Sequence, residues 1–223
     1  MTTVKRRGVT TIDITKFTRR RRQYIPEHEI NYDEARVIAL DPGGTTGWST
    51  ISVVPEVLQV DNALILDNII DHQHGQVDCG SHRGNLDSTL HPGISTHGEF
   101  SGVYDIAKFI RAWPSAAVLI ENFTLRQLRM DPDLLSPVRV TAAIGQKIWE
   151  TGRDYHVQSP SDAKNVCTDD RLKDWGLYDS ADGMRHARDA DRHAILFLRR
   201  CKSNEKLRAA AWPHLFGSEG AYM

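Results

Sequence analysis

The sequence predicts an α/β fold in which a five-stranded mixed sheet, three antiparallel strands followed by parallel strands, is flanked by helices. Two short β-rich runs are joined by Pro-Gly-Gly, which favours a tight turn between antiparallel strands. A continuous apolar run at residues 116–121 is typical of a strand buried on both faces, and therefore of a parallel sheet. Several later segments place apolar residues at helical spacing.

The first part of the domain is predicted to form an antiparallel meander. Runs rich in Val, Ile and Thr at residues 36–41 and 47–54 flank the glycine turn, and a third strand is expected at residues 58–66. Residues 71–99 are rich in Gly and His and poor in apolar side chains, so a polar insertion or long loop is expected there. The spacing of these histidines matches no standard zinc motif, so ordinary loop histidines are the simpler interpretation.

The second part is predicted to alternate helices with short strands. Apolar residues recur at helical spacing through residues 100–113, and Pro114 ends that helix. Further helices are expected at residues 137–150, 169–175 and 181–200, with a short strand at 155–157 and a helix start at 159–162. The folded domain is predicted to span residues 34–212, with a tail at residues 213–223.

The N-terminal 33 residues are predicted to form a basic, flexible arm. Residues 1–23 carry eight of the 28 Lys and Arg residues and one of the 29 acids, which leaves a net charge of −8 on the remainder. A basic arm on an acidic body indicates an anionic polymer such as a nucleic acid as partner, with a solvated tail as the alternative.

Composition indicates one soluble globular domain. The chain has 223 residues, of which 40% are hydrophobic and 26% charged. No apolar run approaches the roughly 20 residues that span a bilayer, and no secretory signal is recognisable. Three widely separated cysteines without a CxxC pair argue against a disulfide framework, so a cytoplasmic location is expected.

One acidic residue stands where each of three predicted elements ends or begins. Asp41 ends the first strand, Glu121 ends the buried apolar run, and Asp189 lies near the start of the last helix. Carboxylates at the ends of buried elements are costly unless they are paired or bind a cation. Asp41 and Glu121 are expected at neighbouring strand ends, and His186 shares a helix face with Asp189. The sequence therefore predicts one acidic metal site.

Each of these residues also has a purely structural interpretation. Asp-Pro-Gly is common turn chemistry at Asp41, and Glu121 could pair with an arginine such as Arg126. His186 taken alone could be a surface histidine. Asp191 is expected to face away from Asp189 and to pair with a nearby arginine in solvent.

Four segments resemble the sequence blocks of RuvC-like Holliday-junction resolvases, within the RNase H-like superfamily. They are ALDPGGTTGWS, VLIENF, QSPSDAK and HARDADRHA, which occur in the family order over residues 36–198. The resemblance implies an RNase H-like fold and maps the family's acids onto Asp41, Glu121 and Asp189. It adds His186, where some members have Asp, and Lys164 near the scissile phosphate. The divergent form would suit a bacteriophage protein.

By this resemblance the chain is expected to be a divalent-metal-dependent, structure-selective endonuclease that resolves Holliday junctions as a homodimer. Asp41, Glu121, His186 and Asp189 would bind two Mg²⁺ ions, with Mn²⁺ as a substitute, and would be catalytic together with Lys164. Branched DNA, whether a four-way junction, fork or flap, is the expected substrate.

Two other classes of protein remain as alternatives. DPGGTTG resembles the first phosphate loop of actin-like ATPases, although the second phosphate loop and the adenosine motif are not found in the sequence. A catalytically silent RNase H-like nucleic-acid-binding module is the other alternative. Such a module predicts the loss of at least one of the metal-site residues, and none is missing.

Overall fold

The computed structural model describes residues 33–79, 97–123, 132–181 and 183–217. Most of the predicted basic arm, residues 80–96 of the predicted insertion and the last six residues of the predicted tail lie outside these ranges. The strands are β1 (Ala35–Asp41), β2 (Thr45–Val53), β3 (Ile69–Asp78), β4 (Ala117–Glu121) and β5 (His156–Gln158). The longer helices are α1 (His97–Arg111), α2 (Pro132–Trp149) and α6 (Arg185–Ser203), and the shorter ones are α3 (Pro160–Val166), α4 (Asp169–Asp174), α5 (Leu177–Ser180), α7 (Glu205–Ala211) and α8 (Pro213–Phe216).

The five strands form one mixed sheet in the order β3-β2-β1-β4-β5. Strands β1, β2 and β3 pair antiparallel, whereas β4 and β5 join them in parallel. The predicted fold class, three antiparallel strands followed by parallel strands with flanking helices, is therefore confirmed.

Side chains alternate between the two faces of the sheet along each strand, and the core therefore has two layers. Ile38, Leu40 and Trp48 face one side of the sheet and pack with the apolar stripes of α1 and α2. Val37, Ala39 and Ile51 face the other side and pack with α6 and with Trp212, which follows α7. Successive side chains of a strand point to opposite faces, so each buried strand contributes to both layers.

The third strand was predicted in the wrong place. It begins at Ile69 and not at Leu58, and residues 71–78 of the predicted insertion belong to it. Leu58 and Ile65 are instead buried in the α6-side layer, within a segment that contains two short 3₁₀ helices. The apolar pattern of this segment reflects burial of its side chains in the core and not pairing with another strand.

Two further boundaries differ from the prediction. Helix α2 begins five residues earlier than expected, so Pro137 lies inside it, where its missing N–H removes one helical hydrogen bond. Helix α8 extends the packed part of the chain beyond Trp212, because Leu215 and Phe216 contact the α6-side core. None of the described helices is long and apolar enough to cross a membrane.

Candidate functional site

Two predicted site residues end adjacent parallel strands. Leu40 of β1 pairs with Ile120 of β4, and Asp41 and Glu121 follow these partners directly. Both acids continue the set of side chains that faces α6, because they lie two residues after Ala39 and Leu119. The two carboxylates therefore emerge at one edge of the sheet, beneath the helix that carries the other predicted acid.

Helix α6 begins directly against this edge. The His186 Nδ1 lies 2.7 Å from the Asp41 Oδ2. Arg185 donates from Nε to the other ring nitrogen of His186 at 3.2 Å, so Nδ1 carries the proton that is donated to Asp41. The backbone N–H of His186 donates to the Gln76 Oε1 at 3.0 Å, which ties the first turn of α6 to β3.

Gly47 of β2 makes this close approach possible. A Cβ atom at this position would overlap the backbone carbonyl of His186. Helix α6 therefore contacts the backbone of the sheet with no side chain between them, and residue 47 is limited to glycine.

The environment of Asp41 disfavours its charged form. Burial raises the pKa of the Asp41 carboxyl from 3.8 to about 6; the hydrogen bond from His186 opposes this increase, and the charges of Glu121 and Asp189 add to it. Asp41 is thus repelled electrostatically by the two other carboxylates. A divalent cation among them would remove this repulsion and favour the ionised form of Asp41.

The raised pKa predicts an unusual pH dependence of stability in metal-free protein. Between pH 3.8 and about 6 the folded state holds a proton on Asp41 that the unfolded state has released. The free energy of unfolding should therefore fall as the pH rises through this window, by at most about 3 kcal/mol. Urea denaturation in EDTA at pH 4 and pH 7 measures this change.

Asp41→Asn should remove the fall in the free energy of unfolding with rising pH that Asp41 causes. The amide does not titrate, and its oxygen can still accept from His186. Asp170→Asn is the matched control, since its carboxylate on α4 is 89% exposed. The control should keep the pH dependence of the unmodified protein. An unchanged slope in Asp41→Asn would contradict the assignment to Asp41.

Asp189 lies between two cationic side chains, those of Lys164 and Arg192. The Lys164 Nζ is 3.4 Å from the Asp189 Oδ2, and Arg192 bonds the other carboxylate oxygen. Arg192 also bonds Asp169 and donates from Nε to the Cys167 carbonyl at 2.9 Å. The structure thus brings the predicted Lys164 to Asp189, and Arg192 joins them although the sequence did not indicate it.

Glu121 is held by a buried histidine. The His193 Nε2 lies 2.8 Å from the Glu121 Oε2, and the other ring nitrogen lies 2.9 Å from the Gln158 Nε2. The Gln158 amide donates, so His193 donates its proton to Glu121. Arg126, the alternative partner of Glu121, lies outside the described residues. His193 lies four residues after Asp189, so helical spacing places it on the same face, but its contact with Glu121 depends on how α6 crosses the sheet.

Asp191 was predicted wrongly as a solvated partner of an arginine. Its side chain is completely buried and contacts His72, His74 and Ser49. The two histidines come from β3, the strand that was misplaced, which is why the sequence did not reveal these contacts.

The predicted site residues meet as pairs rather than as one closed cluster. His186 contacts Asp41, His193 contacts Glu121, and Lys164 contacts Asp189. Across the described ranges, the group of three metal-ligating side chains whose ligand atoms all lie within 4.8 Å of one another is His72, His74 and Asp191. The four predicted metal ligands do not converge this closely.

Two solved structures of Thermus thermophilus RuvC have a similar fold. One is RuvC in complex with a Holliday junction substrate, with a TM-score of 0.51 at 13% identity, covering 76% of this chain and 96% of that chain. The other is a further T. thermophilus RuvC structure, with a TM-score of 0.50 at the same identity and coverage.

The chain has a RuvC-like fold. The resemblance drawn from the four sequence blocks is therefore confirmed for the fold. No protein-family model and no curated protein matches the sequence. At 13% identity the similarity concerns the fold. The activity depends on the chemistry of the residues at the site.

Proposed function

We propose that this chain is a divalent-metal-dependent endonuclease that hydrolyses phosphodiesters in branched DNA, with Holliday-junction resolution as its activity. The observation that carries the proposal is the position of Asp41. It ends β1 beside Glu121 of β4, contacts His186, and is influenced electrostatically by both Glu121 and Asp189. Open α/β sheets bind their ligands at the carboxyl ends of strands, where this group lies.

The donor atoms fit Mg²⁺, with Mn²⁺ as a substitute. Asp41, Glu121 and Asp189 offer carboxylate oxygens, the ligands that hard divalent ions prefer. His186 would offer its Nε2 lone pair, which accepts from Arg185 in the structure, once Arg185 moved away. We propose that these four residues hold two ions. When bound, such ions supply an activated water and stabilise the leaving oxygen of the phosphodiester.

The neighbouring residues would prepare these carboxylates for the metal. The proton donated by His193 fixes the orientation of Glu121, and the amide of Gln158 determines which ring nitrogen of the histidine carries that proton. Histidines and carboxylates behind metal ligands typically change metal affinity by about 10- to 100-fold when removed. We therefore propose His193 as a positioning residue that acts through Glu121.

A cleft beside Asp189 offers several cations to a DNA backbone. It has a volume of about 570 Å³, and its charged lining residues are four cations, Lys164, Arg185, Arg188 and Arg192, and three acids, Asp169, Asp170 and Asp189. Arg192 pairs with two of these acids. Lys164 is 58% exposed, so its ammonium can reach a phosphate, whereas Arg192 is nearly buried and orients Asp189. We propose that Lys164 stabilises charge on the scissile phosphate and that Arg185 and Arg188 contact neighbouring phosphates.

Branched DNA is the proposed substrate for two reasons. The four sequence blocks resemble junction resolvases, and one solved structure of similar fold is RuvC in complex with a Holliday junction substrate. Paired cuts across a junction need two active sites, so we propose a homodimer that supplies one site from each copy.

A cleavage assay on a DNA panel tests this function. The panel contains a mobile four-way junction, a fork, a flap and linear duplex of matched length, each with Mg²⁺, Mn²⁺ or EDTA. We expect metal-dependent cutting of the junction and much slower cutting of the duplex. Equal cutting of linear duplex would contradict structure selectivity. Junction binding without cleavage in either metal would instead favour the catalytically silent module.

A further inference from the structure

A second candidate site lies deeper in the protein, between β3 and α6. It consists of His72, His74 and Asp191, whose ligand atoms all lie within 4.8 Å of one another. We propose that these three residues bind a transition-metal ion of the zinc class, separate from the catalytic edge. This inference is independent of the proposed nuclease activity.

The fold places the ligand atoms of all three side chains close together. His72 and His74 are two residues apart on β3, so they share the face that packs against α6. Asp191 meets them from α6, with its Oδ1 2.8 Å from the His72 Nε2 and its Oδ2 2.6 Å from the His74 Nδ1. The two rings contact edge to face, with centroids 4.8 Å apart.

The surroundings of the ligand atoms resemble the outer shell of a metal site. Ser49 donates from Oγ to the Asp191 Oδ1 at 2.7 Å, which orients the carboxylate. The backbone of Ser180 hydrogen-bonds the His74 ring, which contacts Asp191 through Nδ1. Metal-binding histidines usually donate their second N–H to a carboxylate or backbone carbonyl, and metal-binding carboxylates are usually hydrogen-bonded in this way.

A cation can take the place of the protons that now compensate the buried charge. Asp191 is completely buried, and ring nitrogens of His72 and His74 contact its two oxygens. Metal binding releases such protons from its histidine ligands, after which the ion compensates the carboxylate. The His72 ring is 16% exposed, which leaves one side of the cluster open to an entering ion and to a water as fourth ligand.

The ligand types select the kind of metal. Two imidazoles and one carboxylate suit Zn²⁺, Co²⁺ or Ni²⁺, whereas Mg²⁺ prefers a shell of oxygen atoms. Around tetrahedral zinc the ligand atoms lie roughly 3.3 Å apart, so both histidine contacts to Asp191 must lengthen by about half an ångström to admit an ion. Rotation of the His72 ring, the most exposed of the three side chains, lengthens one contact, and a small shift of the Asp191 carboxylate lengthens the other.

Metal titration of the full-length chain tests this site. The protein is stripped with a chelator and then titrated with Zn²⁺ or Co²⁺. Bound zinc is counted by mass spectrometry after desalting, and Co²⁺ is followed by its visible absorption. We expect one ion per chain at this site and a higher melting temperature with zinc. His72→Gln and His74→Gln should each weaken binding at least about tenfold.

Three variants assign the ion to its ligands. Asp41→Asn, at the catalytic edge, and His156→Gln, a histidine of β5 away from the cluster, should both retain the ion. The double variant His82→Gln/His91→Gln tests histidines outside the described residues and should also retain it. The proposal is overturned if the unmodified chain binds no zinc or cobalt at micromolar concentrations. It is equally overturned if His72→Gln and His74→Gln bind as tightly as the unmodified chain, or if only the double variant loses the ion.

Discussion

Asp41→Asn is expected to abolish metal-dependent cleavage of a four-way junction, with a loss of at least about 10³-fold in rate. The substitution keeps the shape of the side chain and its contact with His186 but removes the negative charge of a proposed metal ligand, which Glu121 and Asp189 influence electrostatically. Loss of about 4 kcal/mol of transition-state stabilisation corresponds to this factor. Single-turnover cleavage at saturating protein measures the effect separately from DNA binding.

Two controls separate catalysis from folding and binding in this experiment. Glu150→Gln changes an exposed carboxylate that directly follows α2, pairs with Lys147 and does not line the cleft, so this variant should cut at the unmodified rate. Asp41→Asn should bind the junction at least as tightly as the unmodified protein, because a negative charge near the DNA has been removed. A cleavage rate within tenfold of the unmodified enzyme would exclude Asp41 as a metal ligand.

Gly47→Ala is expected to lower the free energy of unfolding by about 3 kcal/mol, the upper end of the usual cost of overpacking. The added Cβ would overlap the carbonyl of His186, and backbone atoms cannot rotate away as a side chain can. Relief requires α6 to move away from β2, which also separates His186 from Asp41. Cleavage should therefore fall even under conditions where the variant remains folded.

Gly43→Ala provides the matched control in the same hairpin. Its added Cβ would lie 3.3 Å from the Thr45 carbonyl oxygen, a tight contact that a small local adjustment relieves. Urea denaturation of both variants, followed by cleavage assays at a urea concentration where each is folded, compares the two positions. Equal stability of Gly47→Ala and Gly43→Ala would mean that α6 does not lie against β2 as described.

The position of Asp41 and Glu121 at one edge of the sheet could be predicted because both acids adjoin strongly patterned elements. Asp41 and Glu121 each follow four consecutive apolar residues, so the strand ends were unambiguous. Parallel pairing of β1 and β4 then places the two acids side by side. His186 and Asp189 were placed on the same helix face by their spacing alone.

Strand β3 could not be predicted because its polar residues find partners far along the chain. His72 and His74 contact Asp191, Gln76 accepts from the backbone of His186, and Asp71 pairs with Arg36. None of these partners is visible within a local window of sequence. The apolar segment before β3 has the residue pattern of a strand, but its side chains are buried in the core and its backbone does not pair with the sheet.

The contacts of His193 and Asp191 show that helical spacing does not predict which part of the sheet each side chain meets. Both lie on α6 within four residues of Asp189, yet one faces Glu121 and the other faces β3. Helical spacing defines which residues share a face, but the identity of the opposite surface depends on how the helix crosses the sheet. That crossing is set by Gly47, whose lack of a side chain is a packing requirement that spacing rules do not express.

The direct contact between α6 and the backbone of β2 has a mechanical consequence. Side chains between two elements act as a deformable layer, since they can change rotamer when the elements shift. At Gly47 this layer is missing, so the first turn of α6 and the end of β1 move as one unit. For the proposed nuclease, sliding of this helix is therefore not available to adjust the site to a substrate. The adjustment that brings a phosphate to Asp41 would fall to the DNA, so that the ease of bending a junction would contribute to substrate selection.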